Sequence, residues 1–256
     1  MKYRIILSTI FLSLFLNFAF AQDDRLDEYS FEQEPIQTES ATYFGVGGGY
    51  TFTFHFANFD MINAKATSFG LKEFDGQMLL SGGEGFTGVL FVKNLNVGFF
   101  SYGGKLDVTK DTLISSKNYK KALEYSTGFT GLNIDYGIVP FKSFAIKPGV
   151  GIGWGSLELE TYQTENNFDW DGFKSQSDQN NFINRAESSF IFVKPNISFE
   201  YALTNYLLIR ANASYAMTFG YDWKYNNTAT LNNVPDDLNS NGMQIQIGVF
   251  VGLFNF

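Results

Sequence analysis

Strict period-two alternation runs through most of this chain, and it leaves few ways to fold. A strand turns successive side chains to opposite faces, so each such run has one apolar face and one of different character. The clearest case lies at 243–253: Met243, Ile245, Ile247, Val249, Val251 and Leu253 share a face, while Gln244, Gln246, Gly248, Phe250 and Gly252 share the other. At 190–203, Ile191, Val193, Pro195, Ile197, Phe199, Tyr201 and Leu203 oppose Phe190, Phe192, Lys194, Asn196, Ser198 and Glu200. The run from Tyr206 to Phe219 repeats this, with Leu207, Ile209, Ala211 and Tyr215 opposite Leu208, Arg210, Asn212 and Ser214. A first run sets Phe44, Val46, Tyr50, Phe52, Phe54 and Phe56 against Gly45, Gly47, Gly49, Thr51, Thr53 and His55. Runs near 78–92, 95–109, 121–138 and 144–162 make eight, although the facing of the glycine-rich 78–92 run is ambiguous. Each is longer than the roughly 9–11 residues a tilted strand needs to cross a bilayer.

The connections have a rhythm of their own. Lys93-Asn94, residues 139–143 and Thr204-Asn205 are short, whereas 57–77, 110–120, 163–182 and 223–242 are long. Tight turns alternating with long polar loops match a membrane barrel with periplasmic turns and elaborated outer loops. A soluble sandwich has no reason to keep that order. It would also have to hide near-continuous aliphatic faces from water. The predicted fold is therefore an all-β, eight-stranded antiparallel up-and-down barrel over residues 43–256.

In this pattern of alternation, turns and loops the chain resembles the small eight-stranded outer-membrane barrels of the OmpA/OmpX type. The likeness includes the ending Phe250-Val251-Gly252-Leu253-Phe254-Asn255-Phe256, an alternating strand closed by an aromatic residue. It implies an outer-membrane location, lipid around the barrel, and the barrel-assembly machinery as a partner that recognises Phe256. No particular subfamily is matched.

The start of the chain fits export. Basic Met1-Lys2-Tyr3-Arg4 leads into an apolar stretch from Ile5 to Phe20, and Ala19-Phe20-Ala21 has the small-x-small form of a cleavage site. Residues 1–21 are thus read as a cleaved signal peptide. Residues 22–42 hold seven acids (Asp23, Asp24, Asp27, Glu28, Glu32, Glu34 and Glu39) against one Arg, and read as an acidic, disordered leader. After cleavage 16 Lys and Arg face all 26 acids, a balance that argues against nucleic acid as a partner. With no Cys, disulfides, thiolate metal sites and an N-terminal lipid are excluded.

If the aliphatic face meets lipid, the opposite face fills the lumen. It carries glycines (Gly45, Gly47, Gly49, Gly149, Gly151, Gly153, Gly155) and a small set of charges: Asp135, Lys147, Lys194, Glu200 and Arg210. A turn centred near Phe141 would set Asp135 opposite Lys147, and Glu200 and Arg210 should lie about one diagonal apart. Such charges pair because an unpaired buried ion is costly. They either plug the bore or line a polar channel, and eight strands leave little free bore. The glycines make room for lumenal aromatics such as Phe100, Tyr102, Phe190 and Phe250, or mark bent strands.

Several motifs carry less. Gly149-x-Gly151-x-Gly153-x-Gly155 has the period of a strand face and lacks the spacing of a nucleotide loop. His55, the only histidine, is the one candidate base for a lipid-modifying enzyme, against its reading as a polar rim residue. Asp169-x-Asp171-Gly172 weakly resembles a calcium loop but lacks the closing ligands. Asp60 is placed to cap a short helix from Met61 to Phe69, with Ile62, Ala66 and Phe69 on one stripe. That helix would cover the mouth, lie on the membrane or line an apolar pocket. No catalytic, cofactor or metal motif emerges. The leading expectation is a structural or interaction role at the envelope. Behind it stands binding or transport of a small apolar or amphipathic solute, and then lipid-modifying catalysis.

Overall fold

The computed structural model describes residues 42–166 and 180–256. The signal-peptide reading, all but the last residue of the acidic leader, and Asp169-x-Asp171-Gly172 lie outside the described residues.

In chain order the elements are β1 (Phe44–Ala57), α1 (Asp60–Ser68), β2 (Met78–Gly88), β3 (Leu95–Ile114), β4 (Lys117–Tyr136), β5 (Ile138–Phe141), β6 (Phe144–Glu165), β7 (Phe182–Thr204), β8 (Leu207–Tyr225), β9 (Ala229–Thr230) and β10 (Gly242–Asn255). Eight long strands pair antiparallel in the order β10-β1-β2-β3-β4-β6-β7-β8, and β8 pairs back to β10. The sheet is therefore a closed ring. Its seam, β1 on β10, runs unbroken from Phe44↔Asn255 to Ala57↔Gly242. β5 continues past a break at Gly137 and pairs with β6, while β9 is a two-residue ribbon on β8.

Alternation places side chains as the sequence pattern requires. Ile245, Ile247, Val249, Val251 and Leu253 are exposed, as are Ile191, Val193, Ile197, Phe199 and Tyr201. Phe190, Phe192, Gln244, Gln246 and Phe250 are buried inside the ring. The ambiguous run resolves too: Met78, Leu80 and Phe86 point inward, leaving Leu79, Ser81, Gly83, Gly85 and Thr87 outside.

The connections differ in detail from expectation. Between β2 and β3 lies a six-residue turn, Val89 to Asn94, because β2 stops at Gly88. β4 and β6 are joined through β5 by Lys142-Ser143, with Ser143 in the left-handed region at φ 65°. Residues 110–120 form no loop at all: β3 and β4 run on to a two-residue turn at Ser115-Ser116. Both turn residues have positive φ (50° and 68°), the geometry that matches strand twist in a tight hairpin. The β2–β3, β5–β6 and β7–β8 connections gather at one end of the barrel, the turn end, and α1, the Ser115-Ser116 hairpin and the remaining connections at the other, the loop end.

At the loop end the strands are unequal. β2 pairs with β3 only over Ser81↔Gly103 to Gly88↔Asn96, and β10 stops at Gly242. β3, β4, β6, β7 and β8 continue past this level as a curved wall on one side, paired as far as Ile114↔Lys117 and Tyr119↔Glu165.

Packing inside an eight-stranded ring is tight, and glycine is what admits the largest rings. Phe190 pairs across from Gly155, and a side chain there would strike its ring and the Gly128 carbonyl. Gly155→Ala is expected to lower stability by about 1–3 kcal/mol through overpacking. Urea unfolding in detergent, followed by near-ultraviolet circular dichroism, measures it.

Candidate functional site

Two clusters occupy the interior: a charged one toward the turn end and an aromatic one toward the loop end. The charged cluster centres on Glu200. Its Oε1 accepts from Lys147 Nζ at 3.1 Å and from Arg210 Nε at 2.7 Å, and its Oε2 accepts from Tyr43 Oη at 2.5 Å. Glu200 and Arg210 face one another directly in the β7–β8 register, not diagonally. Arg210 reaches across the lumen to pair with Glu84 on β2, its guanidinium packed 4.4 Å and 4.2 Å from the Phe86 and Phe250 ring centres.

Asp135 and Lys147 come within 3.8 Å, but not as direct cross-strand partners. The turn falls at Lys142-Ser143, and the register slips between Ile138 and Phe141, so Asp135 opposes Gly149 and meets Lys147 along the diagonal. Gly149 is what makes this work, since any side chain there would collide with the Asp135 carboxylate. Asn133 Nδ2 donates to both Asp135 oxygens at 2.7 and 2.6 Å, and Asn196 Nδ2 donates in turn to Asn133 Oδ1 at 2.9 Å. Glu84, Asp135 and Glu200 thus balance the three cations Lys147, Lys194 and Arg210.

Lys194 departs from the expected network. No carboxylate among the described residues lies within salt-bridge distance of it; Nζ donates to Tyr102 Oη at 2.9 Å and sits 4.0 Å from the Phe100 ring centre. Tyr102 Oη donates to Gln244 Oε1 at 2.6 Å, and Gln244 Nε2 lies 3.4 Å from His55 Nδ1. His55 is fully buried against Phe129, not on the rim, and its Nε2 has no hydrogen-bond partner among the described residues.

Above this chain of contacts lies the aromatic cluster. Phe129, Phe190, Phe192, Tyr125 and Trp223 pack with Ile62 and Ala66 of α1, and Phe69 joins them partly buried. Asp60 opens the helix and does not cap it; Phe59 holds the cap position, and Asp60 N–H donates to Asn58 Oδ1 at 2.9 Å. Asn63 ties the helix to the following segment by accepting from Phe74 N–H at 2.7 Å and donating to Phe74 O at 3.3 Å. Phe69 follows the helix, edge-on to Phe182 and with Lys121 Nζ 5.0 Å above its ring. The wall's inner face supplies the other side of this packing through Leu123 and Leu157. At the turn end, Phe256 stacks on Tyr43 with ring centres 4.7 Å apart.

Glu84, Tyr43, Asn133 and Gln244 take part in the interior although nothing in the sequence singles them out as a set. Glu84 is the sole charge in the 78–92 run, and Phe86 two places on shares its face, a signal that the many glycines obscure. Tyr43 precedes the first alternating run, so no periodicity marks it.

No family model and no curated protein matches the chain. Among solved structures it is similar to a major outer membrane protein from Thermus thermophilus, at 9% identity over 82% of this chain and 99% of that one, with a TM-score of 0.46. It is also similar to Ail, the attachment invasion locus protein of Yersinia pestis (10% identity, 84% and 99% covered, TM-score 0.36). CarO of Acinetobacter baumannii is a third (11% identity, 81% and 97% covered, TM-score 0.37). Identities this low carry no activity across; the chain's own strand pairing and side chains define what it can do.

Removing Glu200's charge leaves two buried cations with one acid fewer. Glu200→Gln is expected to cost about 3–5 kcal/mol, as breaking a buried ion pair does. Lys194→Met, which removes a buried cation without a carboxylate partner and keeps the volume, is expected to cost less than about 1.5 kcal/mol. Urea midpoints of the two variants in the same detergent provide the comparison.

Proposed function

We propose that the chain is an outer-membrane β-barrel with a plugged lumen, acting at the cell envelope through its framework and its loop-end surface. One observation carries this reading: the closed ring turns its aliphatic side chains outward and its charged side chains inward. Apolar side chains over so much of the surface are costly in water and at rest in lipid. The basic and apolar start with Ala19-Phe20-Ala21 supports export of the chain. In this reading the turn end faces the periplasm and α1 and the wall face outward.

Two barriers in series support a plugged bore. The Glu84–Arg210–Glu200–Lys147 ladder spans the ring toward the turn end, and α1 seals the aromatic cluster at the mouth. An enzymatic reading centred on His55 draws no support from its neighbours, Gln244 and Phe129. A second reading, binding of a small apolar or amphipathic solute at the mouth, is favoured by a cleft of about 370 Å³ there. Leu159, Ala186, Leu231, Val234 and Leu238 line it, and Lys65 of α1 stands at its rim.

Purified protein folded into vesicles is expected to migrate differently on a gel before and after boiling, and to give no conductance steps in planar bilayers. A soluble, unshifted chain would remove the membrane reading. Discrete ion-conducting steps would remove the plug and leave the barrel.

A further inference from the structure

The six-residue turn between β2 and β3 is unlike the other connections at its end of the barrel. Those consist of Lys142-Ser143 and Asn205-Tyr206. Here Val92 N–H donates to Val89 O at 3.2 Å, which puts Leu90 and Phe91 at the two central positions of a formed turn. A second bond, Val89 N–H to Leu95 O at 2.8 Å, ties the turn to the barrel. Leu90 and Phe91 are 87% and 90% exposed, more than any other large apolar side chain among the described residues. Lys93 follows soon after and is exposed too.

The strand leading into this turn offers lipid the poorest face of the ring. Outward from β2 point Leu79, Ser81, Gly83, Gly85 and Thr87; on β3, Gly103 and Ser101 stand next to Ser81 and Gly83, and Phe99 and Val97 next to Gly85 and Thr87. Elsewhere the outward face is aliphatic or aromatic at nearly every position, as on β7 and β10. Apolar contact missing along β2 thus reappears at its end, on two side chains held out from the ring.

We propose that the Val89–Val92 turn is a lipid anchor, with Leu90 and Phe91 seated in the phospholipid interface of the periplasmic leaflet and Lys93 at the level of its phosphates. This rests on the outer-membrane reading. Burial of two such side chains is favourable in proportion to the apolar area withdrawn from water. A cation two residues beyond Phe91 suits an anionic headgroup layer. The anchor fixes the barrel's depth on the side where β2 offers lipid the least apolar surface.

The chain has no cysteine, so single labelling sites are clean. Phe91→Cys, Lys142→Cys and Phe52→Cys would each carry an environment-sensitive fluorophore, in full-length protein folded into phosphatidylethanolamine–phosphatidylglycerol vesicles containing a headgroup-level nitroxide lipid. The anchor predicts blue-shifted, quenched emission at 91, water-like emission at 142 and lipid-like emission at 52. Water-like emission at 91 with lipid-like emission at 52 overturns the anchor and leaves the barrel in the membrane. Water-like emission at all three sites overturns the membrane reading and the anchor with it.

Discussion

Backbone amides exposed to hydrocarbon have no water to bond with, so a sheet in lipid must leave no free edge. In this protein the condition is met at the β1–β10 seam, and the seam depends on a division of labour between its strands. β1 supplies Gly45, Gly47 and Gly49 on its inner face, and β10 supplies Phe250 and Phe254. Cβ atoms at Gly47 and Gly49 would press on Phe254 and Phe250, so bulk is allotted to one strand and space to the other. Closure then fixes the size of the interior, and the interior fixes what it can hold.

What it holds is a balanced set of charges that bond both between neighbouring strands and across the ring. Arg210 on β8 reaches Glu84 on β2, and Tyr43 just before β1 reaches Glu200 on β7. These bonds tie strands that share no backbone ladder, so the lumen braces the ring as struts brace a tube. Lys194 is held differently, by aromatic faces and a tyrosine hydroxyl, in a setting where desolvation is offset without a carboxylate at salt-bridge distance among the described residues.

Much of this is legible in the residues because a barrel in lipid reverses the usual contrast between the two sides of a strand. Period two at 243–253 and 190–203 assigns faces that the structure keeps, and the charges of the inner face are visible as interruptions of small or aromatic positions. Run 78–92 is opaque, since Gly82, Gly83 and Gly85 carry no polarity to read. Register fails at Asp135 and Lys147 because a turn centred on Phe141 assumes a regular hairpin, whereas the turn falls at Lys142-Ser143 and the register slips between Ile138 and Phe141, a backbone event with no periodic trace. The wall reads as a loop at 110–120, where Lys110, Asp111, Lys117 and Lys120 have the look of solvent-facing chain. Charged residues can line an exposed strand as readily as a loop, and only pairing across Ser115-Ser116 tells them apart.

That wall makes the loop end of the barrel lopsided. Five strands rise past the level at which β1, β2 and β10 end, so the mouth is screened on one flank and open on the other. Its outward face carries Glu124 opposite Glu160 and Glu158 opposite Glu187, with Arg185 bonded to Glu158 and Glu160. A macromolecule approaching the loop end therefore meets a compass bearing as well as a surface: a palisade of paired glutamates and cations to one side, and a low sill guarded by α1 to the other.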